Sequence, residues 1–307
     1  MKTFKNILEF QKEFNTDERC RKYLEQQRWN GTPACPFCGS LNVCRFSNGK
    51  IFKCREKECR NKFSVTVGTI YENTKIPLTK WFLATYILSV HSKGISSLQL
   101  SKIIGTTQKT AWHLNHRVRK MLTENQPELL DGICEVDSTY VGGKEGNKHF
   151  SKRTVRAAAG SKIMVLGAVQ RKGKVKTKVI PNENIDNVTK TVHEFIAPNS
   201  TMVTDEHHSF NRLKELYNHK TINHRSKQYV RYEEILIHTN NIDGFWNILK
   251  KQINGIHHSV SAKHLQRYCN EAAFRYNNRE LFQDERIAYA LTNCNGALKY
   301  KVLTGKE

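Results

Sequence analysis

The chain has 307 residues, and 50 lysines and arginines against 28 acidic residues give it a formal charge of +22, so the expected partner is a polyanion whose phosphates release counterions on binding. Hydrophobic residues at 38% and a mean hydropathy of −0.62 fit a globular protein of two or three domains and exclude a disordered tail. No run of about 18 apolar residues exists and Met1 precedes no apolar stretch, which argues against a membrane span or secretory signal and for the cytosol.

Residues 1–30 read as a helical lead-in, with Phe4, Ile7, Leu8 and Phe14 on one face. Residues 31–70 change to short, basic, strand-like pieces with turns at Gly39-Ser40 and Asn48-Gly49. Within them Cys35-Pro36-Phe37-Cys38 and Cys54-x4-Cys59 form two knuckles with 15 residues between them. Tetrahedral zinc wants four soft thiolates, so a structural Zn²⁺ in a ribbon is expected, against reduced core cysteines as the alternative. An odd total of nine cysteines speaks against a disulfide framework.

Residues 71–125 are helical. An apolar run over 78–92 predicts a buried helix, and helices over 97–104 and 109–122 flank Gly105-Thr106-Thr107 in a helix-turn-helix pattern. The second of these carries Lys109, His113, Arg117 and Arg119, groups suited to base edges and phosphates. Plain helical packing would give the same pattern.

Residues 123–131 are polar and read as a linker, after which the character becomes α/β over 132–285, followed by a tail over 286–307. Strands are predicted at 133–141, 163–170, 174–180 and 201–204, and helices near 188–196, 209–217, 241–254 and 262–277. Asp137 lies inside one β-forming run and Asp205 at the end of another, where a carboxylate is costly unless paired or metal-bound. Asn240, Asp243, Asn247 and Lys250 recur at spacings of three and four, hence on one helix face. Two strand-borne aspartates plus a helix-borne oxygen ligand form the donor set of a two-Mg²⁺ phosphoryl-transfer centre. Glu135 shares the strand face of Asp137, either supporting the ligands from behind or facing solvent, and Ser138 faces the other way. Lys148 and Arg153 fall in a basic, Gly-rich segment that reads as a DNA-contacting loop.

The sequence resembles DDE transposases of bacterial insertion sequences, specifically the insertion-sequence fifteen-ninety-five group with its ISXO-type catalytic domain. The matching stretches are 35–39, 63–70, 94–100, 135–148, 203–206, 238–250 and 264–279. The resemblance implies a multidomain α+β protein: a zinc ribbon, a helix-turn-helix module and an RNase H-like α/β catalytic domain. It implies Mg²⁺ or Mn²⁺ chemistry on double-stranded DNA, at the inverted-repeat ends of an element and at target DNA, by a dimer or larger assembly in the nucleoid. Asp137 and Asp205 match the first two catalytic aspartates. The third ligand is either Asp243, where relatives often carry glutamate, or Asn240, and Lys250 two helical turns beyond Asp243 favours Asp243 as a phosphate-holding companion on its face. The implied reaction is cleavage at the element's ends and strand transfer; the rivals are a non-catalytic DNA-binding regulator, or a nuclease or resolvase that cuts without joining.

Overall fold

The structure is a computed structural model and describes residues 4–123, 128–143, 149, 151, 162–223, 230–233 and 235–305. Lys148 and Arg153, expected in a DNA-contacting loop, lie outside these residues. The chain forms two units, one from residues 1–124 together with 280–307, the other from 125–279.

The first unit opens with α1 (Ile7–Glu13) and α2 (Asp17–Trp29), started by the side-chain caps of Asn6 and Thr16. Phe4, Phe10 and Phe14 are buried, and their rings cluster with Tyr86 and Phe82. A three-stranded antiparallel sheet follows: β1 (Val43–Arg45), β2 (Phe52–Cys54) and β3 (Lys62–Phe63). Helix α3 (Leu78–Val90) is buried on nearly all sides, as its uninterrupted apolar run requires. Helix α4 (Ser97–Ile104) starts with a Ser96–Gln99 capping box and stops at Gly105, whose φ of +59° allows the sharp turn to Thr107, the N-cap of α5 (Gln108–Met121).

The second unit is built on a five-stranded mixed sheet in the order β6-β5-β4-β7-β8. Its strands are β4 (Ile133–Val141), β5 (Ile163–Gln170), β6 (Val175–Ile180), β7 (Thr201–Asp205) and β8 (Asn218–Ile222). The β4-β5-β6 meander is antiparallel, whereas β4, β7 and β8 run parallel. A parallel neighbour needs a crossover, and α6 (Ile185–Phe195) supplies it between β6 and β7. A two-stranded ribbon, β9 (Arg231–Tyr232) with β10 (Leu236–Ile237), leads into α7 (Asn240–Gln252) and α8 (Ala262–Asn277).

Strand alternation sorts the two cores. Cys134, Val136, Leu166, Ala168 and Met202 face α6 and the 3-10 helix at His208–Glu215. Val165, Val169 and Val175 on the other face pack with Phe245, Trp246 and Leu249 of α7 and with Leu265 and Cys269 of α8. Leu130, in the expected linker, is buried in this unit and bridges to Ile196.

The chain then returns to the first unit. The segment expected as a tail carries α9 (Gln283–Thr292) and α10 (Tyr300–Thr304). Between them Cys294 O accepts from Ile70 N at 2.8 Å and Asn295 bridges to Thr69.

Candidate active site and metal centre

The cysteine knuckles close on one another. Cys35 and Cys59 sulfurs stand 3.7 Å apart and those of Cys38 and Cys54 3.6 Å, and all four lie within 4.8 Å. A tetrahedral ion with metal–sulfur bonds of about 2.3 Å has sulfur–sulfur edges of about 3.8 Å, so the four thiols can hold such a metal. Hydrogen bonds from Gly39 N to Cys35 O and from Cys59 N to Glu56 O shape the knuckles. The backbone N–H of Asn61, helped by its side-chain amide, pulls the Cys59 thiol down to about 7 against the opposing effect of burial, which favours the thiolate a metal needs. Cys44 stands apart, its sulfur directed to Lys53 O at 3.7 Å.

In the second unit the parallel β4–β7 ladder runs as far as the pair Glu135–Val203, and Asp137 and Asp205 each lie two residues beyond that pair on their own strands, close enough for the charge of Asp205 to be felt at Asp137. His207 N donates to Asp205 Oδ1 at 3.1 Å. Asp137 Oδ2 accepts from Trp246 Nε1 of α7 at 2.9 Å. Burial pushes the Asp137 carboxyl up to about 7, and the carboxylates of Asp205 and Asp243 add to the rise, while Ser138 N–H and the indole oppose it. Asp243 is exposed one turn into α7 and accepts from Thr239 Oγ1 at 3.2 Å. Asn240, Asn247 and Lys250 are exposed with it along one face. Asp137 with the carboxylates of Asp205 and Asp243 that act on it makes three oxygen-donor groups, the ligand type a hard divalent cation takes. Among the described residues, however, the cysteines are the His/Cys/Asp/Glu group drawn tightly enough to enclose an ion. Ser138 donates to Glu183 at 2.5 Å on the opposite face, as alternation demands.

Two residues of this site escaped the sequence reading. Trp246 fastens Asp137 to α7, and Gly167, opposite Asp137 on β5, makes room for it: a Cβ at Gly167 would sit 2.6 Å from Trp246 Cη2 and 3.2 Å from Ile242 Cδ1. A glycine inside an apolar strand is the available signal of such a close approach. Gly167→Ala is expected to destabilise the second unit by about 1–3 kcal/mol through overpacking, read as a lower denaturation midpoint. An unchanged midpoint would show that the indole is not held against this strand.

Helix α5 departs from expectation. Arg117 is buried, donates to Glu72 O at 2.8 Å and covers the Trp81 ring at 5.3 Å. Arg119 is 1% exposed. Both guanidinium groups are thus buried rather than presented as the expected DNA contacts. His113 Nε2 lies 3.2 Å from Leu298 O, and Lys120 Nζ donates to Gly296 O at 3.0 Å and to Ala297 O at 3.1 Å, so the returning C-terminal segment occupies this side of the helix. Lys109 stays exposed, with its ammonium 5.2 Å from the Tyr300 ring.

No helix among the described residues is long and apolar enough to cross a membrane. A protein in the transposable element ISH50 of Halobacterium salinarum is 25% identical over 288 residues, covering 89% of this chain and 94% of that protein. A transposase-like protein of Haemophilus influenzae is 29% identical over 111 residues, 36% of this chain and 86% of that protein. Among solved structures, a chain of a pre-cleavage Mos1 transpososome matches 66% of this chain and 75% of its own length at 10% identity, with a TM-score of 0.17, too low to bear on the fold. Residues 15–62 match the transposase zinc-ribbon domain and residues 129–277 the ISXO2-like transposase domain. The chain thus belongs to the ISXO2-like transposases of the insertion-sequence fifteen-ninety-five group.

Proposed function

We propose that the protein binds the ends of its insertion sequence and catalyses divalent-metal-dependent 3′-end cleavage and strand transfer. The observation that supports this reading is that Asp137 and Asp205 each follow by two residues the last pair of the parallel β4–β7 ladder, with the charges of Asp205 and Asp243 both felt at Asp137. The mixed sheet with helices on both faces is consistent with an RNase H-like core.

Asp137, Asp205 and Asp243 would hold two Mg²⁺ or Mn²⁺ ions, which when bound supply an activated oxygen nucleophile and neutralise charge on the leaving oxygen. The residues themselves set the geometry. Trp246 occupies one oxygen of Asp137 and so limits how that carboxylate turns. Thr239 restrains Asp243 in the same way. Lys250 lies seven residues beyond Asp243, about 10 Å along the helix, and would take a DNA phosphate outside the carboxylate cluster. The Zn²⁺ ribbon, Lys109, and the basic stretch containing Lys148 and Arg153 are assigned to duplex DNA, the helix-turn-helix reading resting on the first turn of α5.

The test is incubation of purified protein with a duplex carrying the element's ends and Mg²⁺. Nicked 3′-OH ends and joined products are expected; binding without any metal-dependent product would leave a DNA-binding regulator, and cleavage without joining a nuclease. The same assay assigns the third ligand. With Asp243 as the third ligand, its carboxylate on the helix face of Lys250, Asp243→Asn is expected to cost about 10²-fold or more and Asn240→Ala less than about tenfold. The reverse order would move the role to Asn240.

A further inference from the structure

We propose that Glu135 is a positioning residue that fixes the helix of Asp243 to the strand of Asp137, thereby setting the spacing of the proposed metal ligands. The inference rests on the transposase reading above. Glu135 is completely buried inside β4, where a carboxylate is tolerated only with a full set of partners. It has them, and most come from α7. Oε2 accepts from Asn241 N at 2.8 Å and Ile242 N at 3.2 Å, and Oε1 accepts from Asn241 Nδ2 at 2.7 Å and Arg171 Nε at 2.8 Å. His238 Nδ1 lies 3.2 Å from Oε1.

Helix α7 has no side-chain cap of its own, since the hydroxyl of its N-cap Thr239 is given to Asp243. Glu135, more than a hundred residues earlier in the chain, satisfies the two backbone N–H groups that a local cap would take, at the positive end of the helix dipole. Arg171 adds to the brace by donating to His238 O at 3.0 Å and to Leu236 O, on the segment that enters the helix. The strand and helix are thus joined twice: Glu135 holds residues 241 and 242, and Asp137 holds Trp246. Asp243 lies between the two attachments. A carboxylate offers about four lone-pair sites, and those of Glu135 are committed, so it supports the site without ligating metal itself.

The experiment uses full-length, zinc-loaded protein and Glu135→Gln, which keeps the shape but turns an NH₂ group toward donors. Mn²⁺ affinity is measured by electron paramagnetic resonance without DNA, alongside the Mg²⁺ dependence of cleavage and the affinity for end DNA. Mn²⁺ binding about tenfold weaker is expected, with a matching rise in half-saturating Mg²⁺ and end binding within twofold of wild type. Asn241→Ala, which removes one donor and leaves the backbone caps, should shift both metal readouts the same way by a smaller factor. It decides the matter if Glu135→Gln does not fold. Folded variants with wild-type metal affinity and metal dependence would overturn the positioning role alone. A wild-type protein that neither binds Mn²⁺ at this site nor cleaves would overturn the transposase reading and this inference together.

Discussion

Asp137→Ala and Asp205→Ala are each expected to lower metal-dependent cleavage and joining by about 10³-fold or more while end binding stays within a few-fold of wild type. The two carboxylates follow the last pair of the parallel β4–β7 ladder by two residues each, and removing either takes one of the three carboxylates proposed to hold the metals. The expected separation of activity from binding follows from the zinc-ribbon match and Lys109 lying in the first unit, whereas both aspartates lie in the second. Product analysis on gels with a parallel mobility-shift titration reads both quantities. Activity within tenfold of wild type in either variant would place the chemistry elsewhere.

Zinc removal is the second large effect. The ribbon's buried core consists of Cys35, Phe52, Cys54 and Phe63, so two of its four members are proposed ligands, and only Trp29, Val43, Cys59 and Val67 pad it from outside. So small a core cannot stand without its metal, whose binding is worth about 10–16 kcal/mol in small zinc modules and is itself the folding energy. Freshly purified protein is expected to carry one zinc per chain by elemental analysis. Chelation should release the Trp29 ring from its edge contacts with Phe52 and Phe63, at 5.1 and 6.0 Å between centroids, and abolish end preference while leaving the second unit folded. Protein without stoichiometric zinc, or a ribbon unmoved by chelation, would contradict this assignment.

What the sequence disclosed depended on the range of the interaction. The cysteine knuckles are legible because ligand spacing is set within a few residues by two turns, and the strand positions of Asp137 and Asp205 because carboxylates stand out in β-forming runs. The exposed row of Asn240, Asp243, Asn247 and Lys250 follows from helical periodicity alone. Helix α5 misled for the opposite reason. In the sequence Arg117 reads as a phosphate contact because a charged residue is ordinarily exposed, but its partners, Glu72 and Trp81, come from distant parts of the unit. Trp246, Gly167 and the full role of Glu135 were hidden likewise, since each acts across the contact between sheet and helix, which no local pattern encodes.

The return of residues 283–305 to the first unit also bears on how the chain emerges from the ribosome. Synthesis delivers α1–α5 early, but the segment that pairs with Ile70 and accepts from Lys120 comes only after the whole of the second unit. The α/β unit is continuous in sequence and can fold as soon as α8 is free, domain by domain as nascent chains do. The first unit is completed only once residues 283–305 have followed. A premature stop near residue 280 would therefore spare the module that carries the aspartates and injure the one that carries the ribbon, although the ribbon and the aspartates both lie ahead of the cut in sequence.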